Sequence, residues 1–188
     1  MPFEFRNMAI PGPVLVQPQV FGDSRGFFLE LYKHDDYAKA GIGDHLVQDN
    51  YSRSGRGVLR GLHYQKPPFA QGKLVTCLRG AIYDVAVDVR HGSPHFGKWV
   101  GVELSEENKQ LLYVPVGFAH GFQVVSEVAE VMYKCTSAYS PQNEGGIIWN
   151  DPDVAVQWPL KDPLLSAKDR ILPSLRDGEV VFQYEGEK

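Results

Sequence analysis

The chain has 188 residues, which is enough for one domain with a sizeable core and short for two, so we expect 1–188 to form a single domain. Hydrophobic residues make up 43% and charged residues 22%, a composition that argues against disorder. The net charge of −4 argues against a nucleic-acid partner, although a local cluster of Arg and Lys could hold a phosphate. Because no apolar run approaches the roughly 20 residues that span a bilayer and no signal peptide is recognisable, we expect no membrane partner and a cytoplasmic location.

Short β-rich runs separated by Gly, Pro, Asn and Asp predict an all-β sandwich or barrel. The predicted strands are, in chain order, 14–20, 27–32, 46–51, 58–64, 73–78, 81–89, 98–104, 110–114, 118–125 and 127–136. Pro18 predicts an edge position for the first strand, and 22–26 is a predicted turn. A short helix is predicted at 34–40, ended by Gly41.

From residue 140 on, Pro, Asp and Trp are frequent and the periodicity fades. We predict a tail that wraps over the barrel, with a short helix near 164–167. In 83–89 the valines alternate with Asp84, Ala86 and Asp88, which predicts the valines on one face of a strand and the two carboxylates on the other. Cys77 and Cys135 form no CxxC pair, and we interpret them as buried core thiols.

The densest polar cluster lies between residues 48 and 73, and within it Arg60 and His63 interrupt an apolar strand. A buried guanidinium needs a partner, for which phosphate is the natural choice. The alternative is that both side chains point to solvent. Arg60 and His63 have opposite parity in a regular strand, so they share a cavity only if the strand is irregular. Gly61 lies between them and predicts a bulge.

A second cluster, Pro115-Val-Gly-Phe-Ala-His120, has the PxGxxH pattern of the cupin barrels. Metal-binding cupins supply HxH followed by Glu in their first motif. Here the matching residues are His63-Tyr64-Gln65 with no Glu after them, and Lys73 adds a positive charge nearby. Because a divalent ion needs three or four ligands, we expect a metal-free site.

Without a metal, the candidate acids and bases are side chains. His63 takes a proton near neutral pH, Tyr133 can donate one, and Lys73 can stabilise an enolate oxygen. On position alone, a packed sheet tyrosine is the favoured interpretation of Tyr133. The sequence has neither GxGxxG nor a P-loop, so we expect no dinucleotide cofactor and no ATP-driven chemistry.

Together these residues closely resemble the dTDP-4-dehydrorhamnose 3,5-epimerases, metal-free cupins of sugar-nucleotide biosynthesis. The matching segments occur in the family's order over nearly the whole chain: 23–30, 48–50, 57–63, 71–73, 115–121, 133–134, 144–152 and 166–169. Tyr51 departs from the pattern, since relatives often have His there.

The resemblance implies a cupin or jelly-roll barrel that epimerises C3 and C5 of dTDP-4-dehydro-6-deoxy-D-glucose to give dTDP-4-dehydro-L-rhamnose. It implies that His63, oriented by Asp169, removes each proton, that Lys73 stabilises the enolate, and that Tyr133 returns a proton from the opposite face. It also implies a homodimer. The substrate-binding roles that it implies fall on Arg25, Glu30, Gln48, Asn50, Arg60, His120, Glu144 and Lys168, with Tyr139 stacked on thymine and Arg25 and Glu30 reaching the partner's site.

Three alternatives remain at the level of sequence. A mono-epimerase acting at C3 or C5 only would keep His63, Tyr133 and Asp169. A metal cupin oxygenase would need ligands that the sequence lacks. A non-catalytic barrel that binds a sugar nucleotide would not need an acid and a base.

Overall fold

The computed structural model describes residues 2–186. Within this range one α-helix, α1, spans His34–Lys39, and 3₁₀ helices span Pro141–Asn143 and Asp169–Ile171. The strands are, in chain order, β1 (Phe3–Asn7), β2 (Val14–Pro18), β3 (Phe21–Asp23), β4 (Gly26–Phe28), β5 (Gln48–Gly55), β6 (Leu59–Gln65), β7 (Lys73–Arg79), β8 (Ala81–Asp88), β9 (Arg90–His91), β10 (Trp99–Ser105), β11 (Leu111–Val114), β12 (Phe118–Val124), β13 (Val128–Cys135), β14 (Glu144–Gly146) and β15 (Phe182–Gln183).

Two antiparallel sheets form the body of the fold. The first has the strand order β1-β2-β11-β7-β13-β5, and the second has the order β10-β8-β12-β6-β14. The two inner faces pack against each other through apolar side chains such as Val75 and Val131 on the first sheet and Ile82 and Phe122 on the second. Burial of each such side chain contributes about 1.5–3 kcal/mol. The predicted all-β jelly-roll barrel of the cupin type is confirmed.

The outer face of each sheet is covered by chain that is not part of the barrel. Tyr37 of α1 packs against the first sheet. Val85 and Val87 of β8 point away from the barrel interior and pack against Ile147 and Phe182 of the C-terminal segment. The predicted wrapping tail and the predicted facing of the β8 valines are therefore confirmed.

The N-terminal part differs from the prediction. The prediction missed β1, which pairs with β2 and occupies the edge, so the expectation of an edge position for 14–20 is wrong. Pro18 is tolerated because β11 pairs only with Val14, Leu15 and Val16, which leaves Pro18 beyond the end of that ladder. The predicted strand 27–32 is reduced to the short β4, which forms a hairpin with β3 around the predicted turn.

The other predicted strands and α1 are confirmed to within one residue at each end, except that β5 runs from Gln48 to Gly55 rather than over 46–51. The predicted helix at 164–167 is wrong. That segment is irregular, and the 3₁₀ helix begins at Asp169. Cys77 and Cys135 are buried free thiols, as predicted. In the part of the chain that the structure describes, no helix combines the length and apolar character needed to cross a membrane.

Candidate active site

A cavity of about 600 Å³ opens between the two sheets, and a second of about 260 Å³ adjoins it. His63, Lys73, Tyr133 and Tyr139 line both. The larger cavity also contains the predicted residues Arg60, His120, Lys168 and Asp169, and the smaller one contains Gln48, Asn50 and Glu144. The fold thus brings together most of the residues that the sequence singled out, from six strands and the C-terminal tail.

His63 is paired with Asp169, as the resemblance implied. The Nε2 atom of His63 lies 2.6 Å from Oδ1 of Asp169. The second oxygen of Asp169 accepts a hydrogen bond from the Ser166 hydroxyl at 2.8 Å. Burial raises the pKa of Asp169, but the hydrogen bond and charge of His63 oppose this effect. Together with the hydrogen bond from Ser166 and the charge of Lys168, they hold the pKa of Asp169 below its usual value. The carboxylate therefore stays ionised and leaves Nδ1 of His63 as the free ring nitrogen.

Tyr133 and Lys73 come from β13 and β7 of the opposite sheet. Among residues 2–186, neither the Tyr133 hydroxyl nor the Lys73 ammonium has a hydrogen-bond or ion-pair partner. Burial raises the pKa of Tyr133, so its hydroxyl keeps its proton at neutral pH. Burial lowers the pKa of Lys73, and the nearby Cys135, Asp84 and Glu144 oppose this effect. The cavity thus holds the side chain of His63, paired with Asp169, on one sheet and the side chains of Tyr133 and Lys73 on the other.

The irregularity predicted at Gly61 is present. Across the β6–β12 ladder His63 pairs with His120 and Arg60 pairs with Phe122, so one strand has an extra residue. Gly61 has φ +128°, and a Cβ there would lie 2.5 Å from the Cα of Gly121. Only glycine fits this bulge. The bulge allows Arg60 and His63 to line the same cavity.

Arg60 is held by a residue that the sequence analysis did not single out. Its Nε and Nη2 atoms donate to the hydroxyl of Ser54 on β5, at 3.2 and 3.1 Å. Two donors of the guanidinium are therefore occupied, and the others remain for a ligand. Its interpretation as a phosphate-binding residue stays a prediction.

His120 is also paired with a carboxylate. Its Nε2 atom lies 2.8 Å from Oδ1 of Asp84, and both side chains are buried. The alternation along β8 had placed Asp84 on the face opposite the valines, but the sequence analysis gave it no site role.

A network of polar side chains lines the cavities next to His63. The Tyr139 hydroxyl donates to Glu144 at 2.8 Å, and Lys168 forms an ion pair with Glu144. Burial raises the pKa of Glu144, but the hydrogen bonds from Lys168 and Tyr139 bring it below its usual value. The side-chain oxygen of Gln48 accepts from the Tyr139 backbone N–H at 2.8 Å, and its amide donates to Asn50 at 3.0 Å.

Arg25 and Glu30 do not reach either cavity of this chain. Arg25 lies in the β3–β4 hairpin, where its Nη2 atom is 2.6 Å from Oδ2 of Asp23. Glu30 follows β4 and is exposed. Their predicted action at a partner's site stays a prediction.

The potential metal ligands among the described side chains, including those that line the cavity, do not form a cluster. Within residues 2–186, no group of three or more His, Cys, Asp or Glu side chains is arranged to hold a metal ion. His63 and His120 each direct one ring nitrogen to a carboxylate. Metal-free chemistry remains the expectation from the sequence.

The chain matches a protein-family model and is similar to several named epimerases. The family model for dTDP-4-dehydrorhamnose 3,5-epimerase matches residues 7–177. The dTDP-4-dehydrorhamnose 3,5-epimerase of Pseudomonas aeruginosa is 56% identical over 166 residues, which cover 87% of this chain and 91% of the relative.

Two solved structures show the same fold. The dTDP-6-deoxy-D-glucose-3,5-epimerase of Legionella pneumophila, in complex with dTDP-4-keto-L-rhamnose, is 47% identical and has a TM-score of 0.94, covering 98% of this chain and 100% of that chain. A 3'-monoepimerase of Streptomyces bikiniensis, in complex with dTDP-quinovose, is 36% identical and has a TM-score of 0.86, covering 91% of this chain and 87% of that chain.

Proposed function

Because the chain belongs to the dTDP-4-dehydrorhamnose 3,5-epimerase family, we propose that it converts dTDP-4-dehydro-6-deoxy-D-glucose to dTDP-4-dehydro-L-rhamnose by inverting C3 and C5. The observation that carries this proposal is the placement of the His63–Asp169 pair in one cavity with Tyr133 and Lys73. A binding protein has no need of a base, an acid and a cation around one space.

His63 is the base of the proposed reaction. The C4 ketone acidifies the protons at C3 and C5. The free Nδ1 of His63 takes one of these protons, the electrons of the broken C–H bond form a C=C bond, and the ketone oxygen becomes an enolate. Asp169 stabilises the imidazolium that results. A positioned base of this kind contributes about 10²–10⁴-fold to the rate.

Lys73 and Tyr133 complete each inversion. The Lys73 ammonium stabilises the enolate oxygen electrostatically. Tyr133 donates its proton to the carbon from the face opposite His63, which re-forms the C–H bond and the ketone with inverted configuration. Proton exchange with water restores neutral His63 and the Tyr133 hydroxyl. The same cycle at the second carbon gives the double epimer.

The polar and cationic lining suits a nucleoside diphosphate. Arg60 and Lys168 offer positive charge to the diphosphate, and Arg is well shaped for phosphate recognition. The exposed ring of Tyr139 offers a stacking surface for thymine. The remaining predicted binding residues of this cavity are Gln48, Asn50, His120 and Glu144.

A mono-epimerase is the second candidate, because it needs the same acid and base. The Legionella structure holds dTDP-4-keto-L-rhamnose and is more similar to this chain than the Streptomyces 3'-monoepimerase in both sequence identity and TM-score. This ordering favours the double epimerase.

We also infer a homodimer, located in the cytoplasm. Phe27 and Phe28 of the β3–β4 hairpin are 61% and 65% exposed, which is unusual for large apolar side chains on a monomer surface. Arg25 lies on the same hairpin, so a second copy that covers it would bring Arg25 towards a neighbouring cavity. Light scattering should give about twice the 21.1 kDa chain mass, and a monomer would contradict the inference.

Proton exchange tests the reaction itself. The substrate is incubated with the protein in heavy water, and C3 and C5 are followed by NMR. Deuterium at both carbons is the expected result. Deuterium at one carbon would replace the proposal with a mono-epimerase, and no exchange at either would refute it.

A further inference from the structure

Asp84 is a carboxylate in an apolar part of the barrel. Its neighbours on the same face of β8, Ile82 and Ala86, belong to the core between the sheets, and Asp84 is fully buried. Burying a carboxylate is costly unless its oxygens are hydrogen-bonded. Such a group in a core indicates a role beyond packing.

The hydrogen bonding of Asp84 is incomplete. Oδ1 lies 2.8 Å from Nε2 of His120, whereas Oδ2 is buried and has no hydrogen-bond partner in the part of the chain that the structure describes. The ammonium of Lys73 interacts electrostatically with Asp84 and has no hydrogen bond or ion pair within residues 2–186. Asp84 therefore interacts with two side chains that line the cavity. It contacts His120 through a hydrogen bond and acts on Lys73 electrostatically.

Asp88 shows what a purely structural carboxylate looks like on the same face of the same strand. It is also fully buried. It accepts hydrogen bonds from Nε and Nη2 of Arg90 at 2.9 and 2.6 Å and from the Ser93 hydroxyl at 2.6 Å. Both of its oxygens are occupied, so its burial is compensated locally. Asp84 lacks this compensation.

We propose that Asp84 is a positioning residue of the epimerase reaction, which fixes the His120 imidazole and stabilises the Lys73 ammonium electrostatically so that both act on the same enolate oxygen. The inference rests on the proposed function. A hydrogen bond from Nε2–H to a carboxylate sets the tautomer of the ring and leaves Nδ1 for the substrate. The carboxylate also stabilises the imidazolium form, in which Nδ1 is a donor. Two fixed donors at a developing oxyanion lower the barrier because they need no reorganisation.

Asp84→Asn tests the proposal, with Asp88→Asn as the matched control. The Asn side chain keeps the shape of Asp84 and removes its charge. We expect kcat to fall at least about 10-fold with KM within about 3-fold of wild type, since a positioning group acts on the transition state rather than on substrate binding. Asp88→Asn should lower the melting temperature and leave kcat within about 2-fold.

The pH profile adds a readout that a structural role would not move. The groups that raise the pKa of Lys73 against the effect of burial are Cys135, Asp84 and Glu144, and the titratable side chains of His63, His120, Tyr133 and Tyr139 line the same cavities. Removing the Asp84 anion removes one of the interactions that keep Lys73 protonated, so the alkaline limb of kcat should move to lower pH in Asp84→Asn. It should stay in place in Asp88→Asn.

A folded Asp84→Asn protein that keeps wild-type kcat and pH profile would overturn the proposal. So would an Asp84→Asn protein that melts as early as Asp88→Asn or no longer binds dTDP, because that result would make Asp84 structural. The ¹⁵N shifts of His120 should show protons on both Nε2 and Nδ1 in the wild type and loss of the Nδ1 proton in Asp84→Asn. This NMR signal does not depend on turnover, so it tests the role of Asp84 separately from the proposed function. Failure of the proposed function would instead appear as wild-type protein that shows exchange at neither C3 nor C5.

Discussion

Two histidines line the cavity, and each has its Nε2 atom paired with a buried aspartate, but the two pairs differ. Asp169 uses both oxygens, one for His63 and one for Ser166. Asp84 uses one oxygen for His120 and leaves the other without a hydrogen bond. Each carboxylate also interacts electrostatically with a lysine, Asp169 with Lys168 and Asp84 with Lys73. Of the two, only Asp84 keeps an oxygen without a hydrogen bond among the described residues.

Exposure separates the two histidines as well. The side chain of His63 is 26% exposed, whereas that of His120 is 7% exposed. A base has to exchange its proton with the solvent between turnovers, which suits the more accessible ring. A donor that only stabilises charge keeps its proton, and a water-poor setting strengthens its effect. The difference in exposure therefore supports the proposed roles, proton transfer for His63 and charge stabilisation for His120.

Among the variants that test the roles of these side chains, Tyr133→Phe is expected to have the largest effect on product formation. Without its hydroxyl the protein loses the acid opposite His63, so formation of the epimerised product should fall about 10³-fold. Deuterium exchange with retention should persist, because His63 can still remove a proton and return a deuteron to the same face. NMR of the substrate in heavy water measures both.

Tyr51→Phe is the matched control for that variant. It removes a hydroxyl that bonds to Glu130 outside both cavities, and it should leave inversion intact. Loss of exchange as well as inversion in Tyr133→Phe would contradict a role confined to returning the proton.

Asp169→Asn should have the next largest effect, a fall in kcat of about 10²-fold. The Asn amide can donate to Nε2 of His63, which favours the tautomer with its proton on Nδ1 and so blocks the base. Steady-state kinetics measure it, and Asp177→Asn, in an exposed Ser-x-x-Asp turn, is the control. Equal kcat for wild type and Asp169→Asn would mean that His63 does not depend on this carboxylate.

Ser166→Ala should have the smallest effect, about 3- to 10-fold in kcat. The change frees one oxygen of Asp169 but leaves the carboxylate charged and in contact with His63. Ser174 makes the same pair of contacts with Asp177 outside the cavity, so Ser174→Ala should have no effect on kcat. A loss in Ser166→Ala as large as that in Asp169→Asn would contradict the view that the second oxygen only supports the first.

Much of the fold could be predicted from local patterns. Alternation along β8 correctly separated Val85 and Val87 from Asp84 because side chains in a strand alternate between faces. The glycine at position 61 predicted the bulge, since few other residues accept its backbone conformation. The 3₁₀ helix at Asp169 was misplaced by the prediction because the tail has no periodicity and takes its shape from packing against the barrel.

The site was predictable as a set of residues but not as a set of contacts. His63, Lys73 and Tyr133 come from strands far apart in the chain, and the order of the strands in the sheets brings them together. The bond between Asp84 and His120 runs diagonally across neighbouring strands, where Asp84 pairs with Phe122 and His120 with Ala86. Such a contact depends on register, which no local pattern reveals.

In the proposed reaction one base, His63, serves both carbons. The most direct test is position-resolved deuterium incorporation by His63→Ala in heavy water, with dTDP binding as the check that the cavity is intact. We expect the variant to bind dTDP and to show no exchange at C3 or C5. Continued exchange at either carbon would contradict it, because a second base would then have to act at that position.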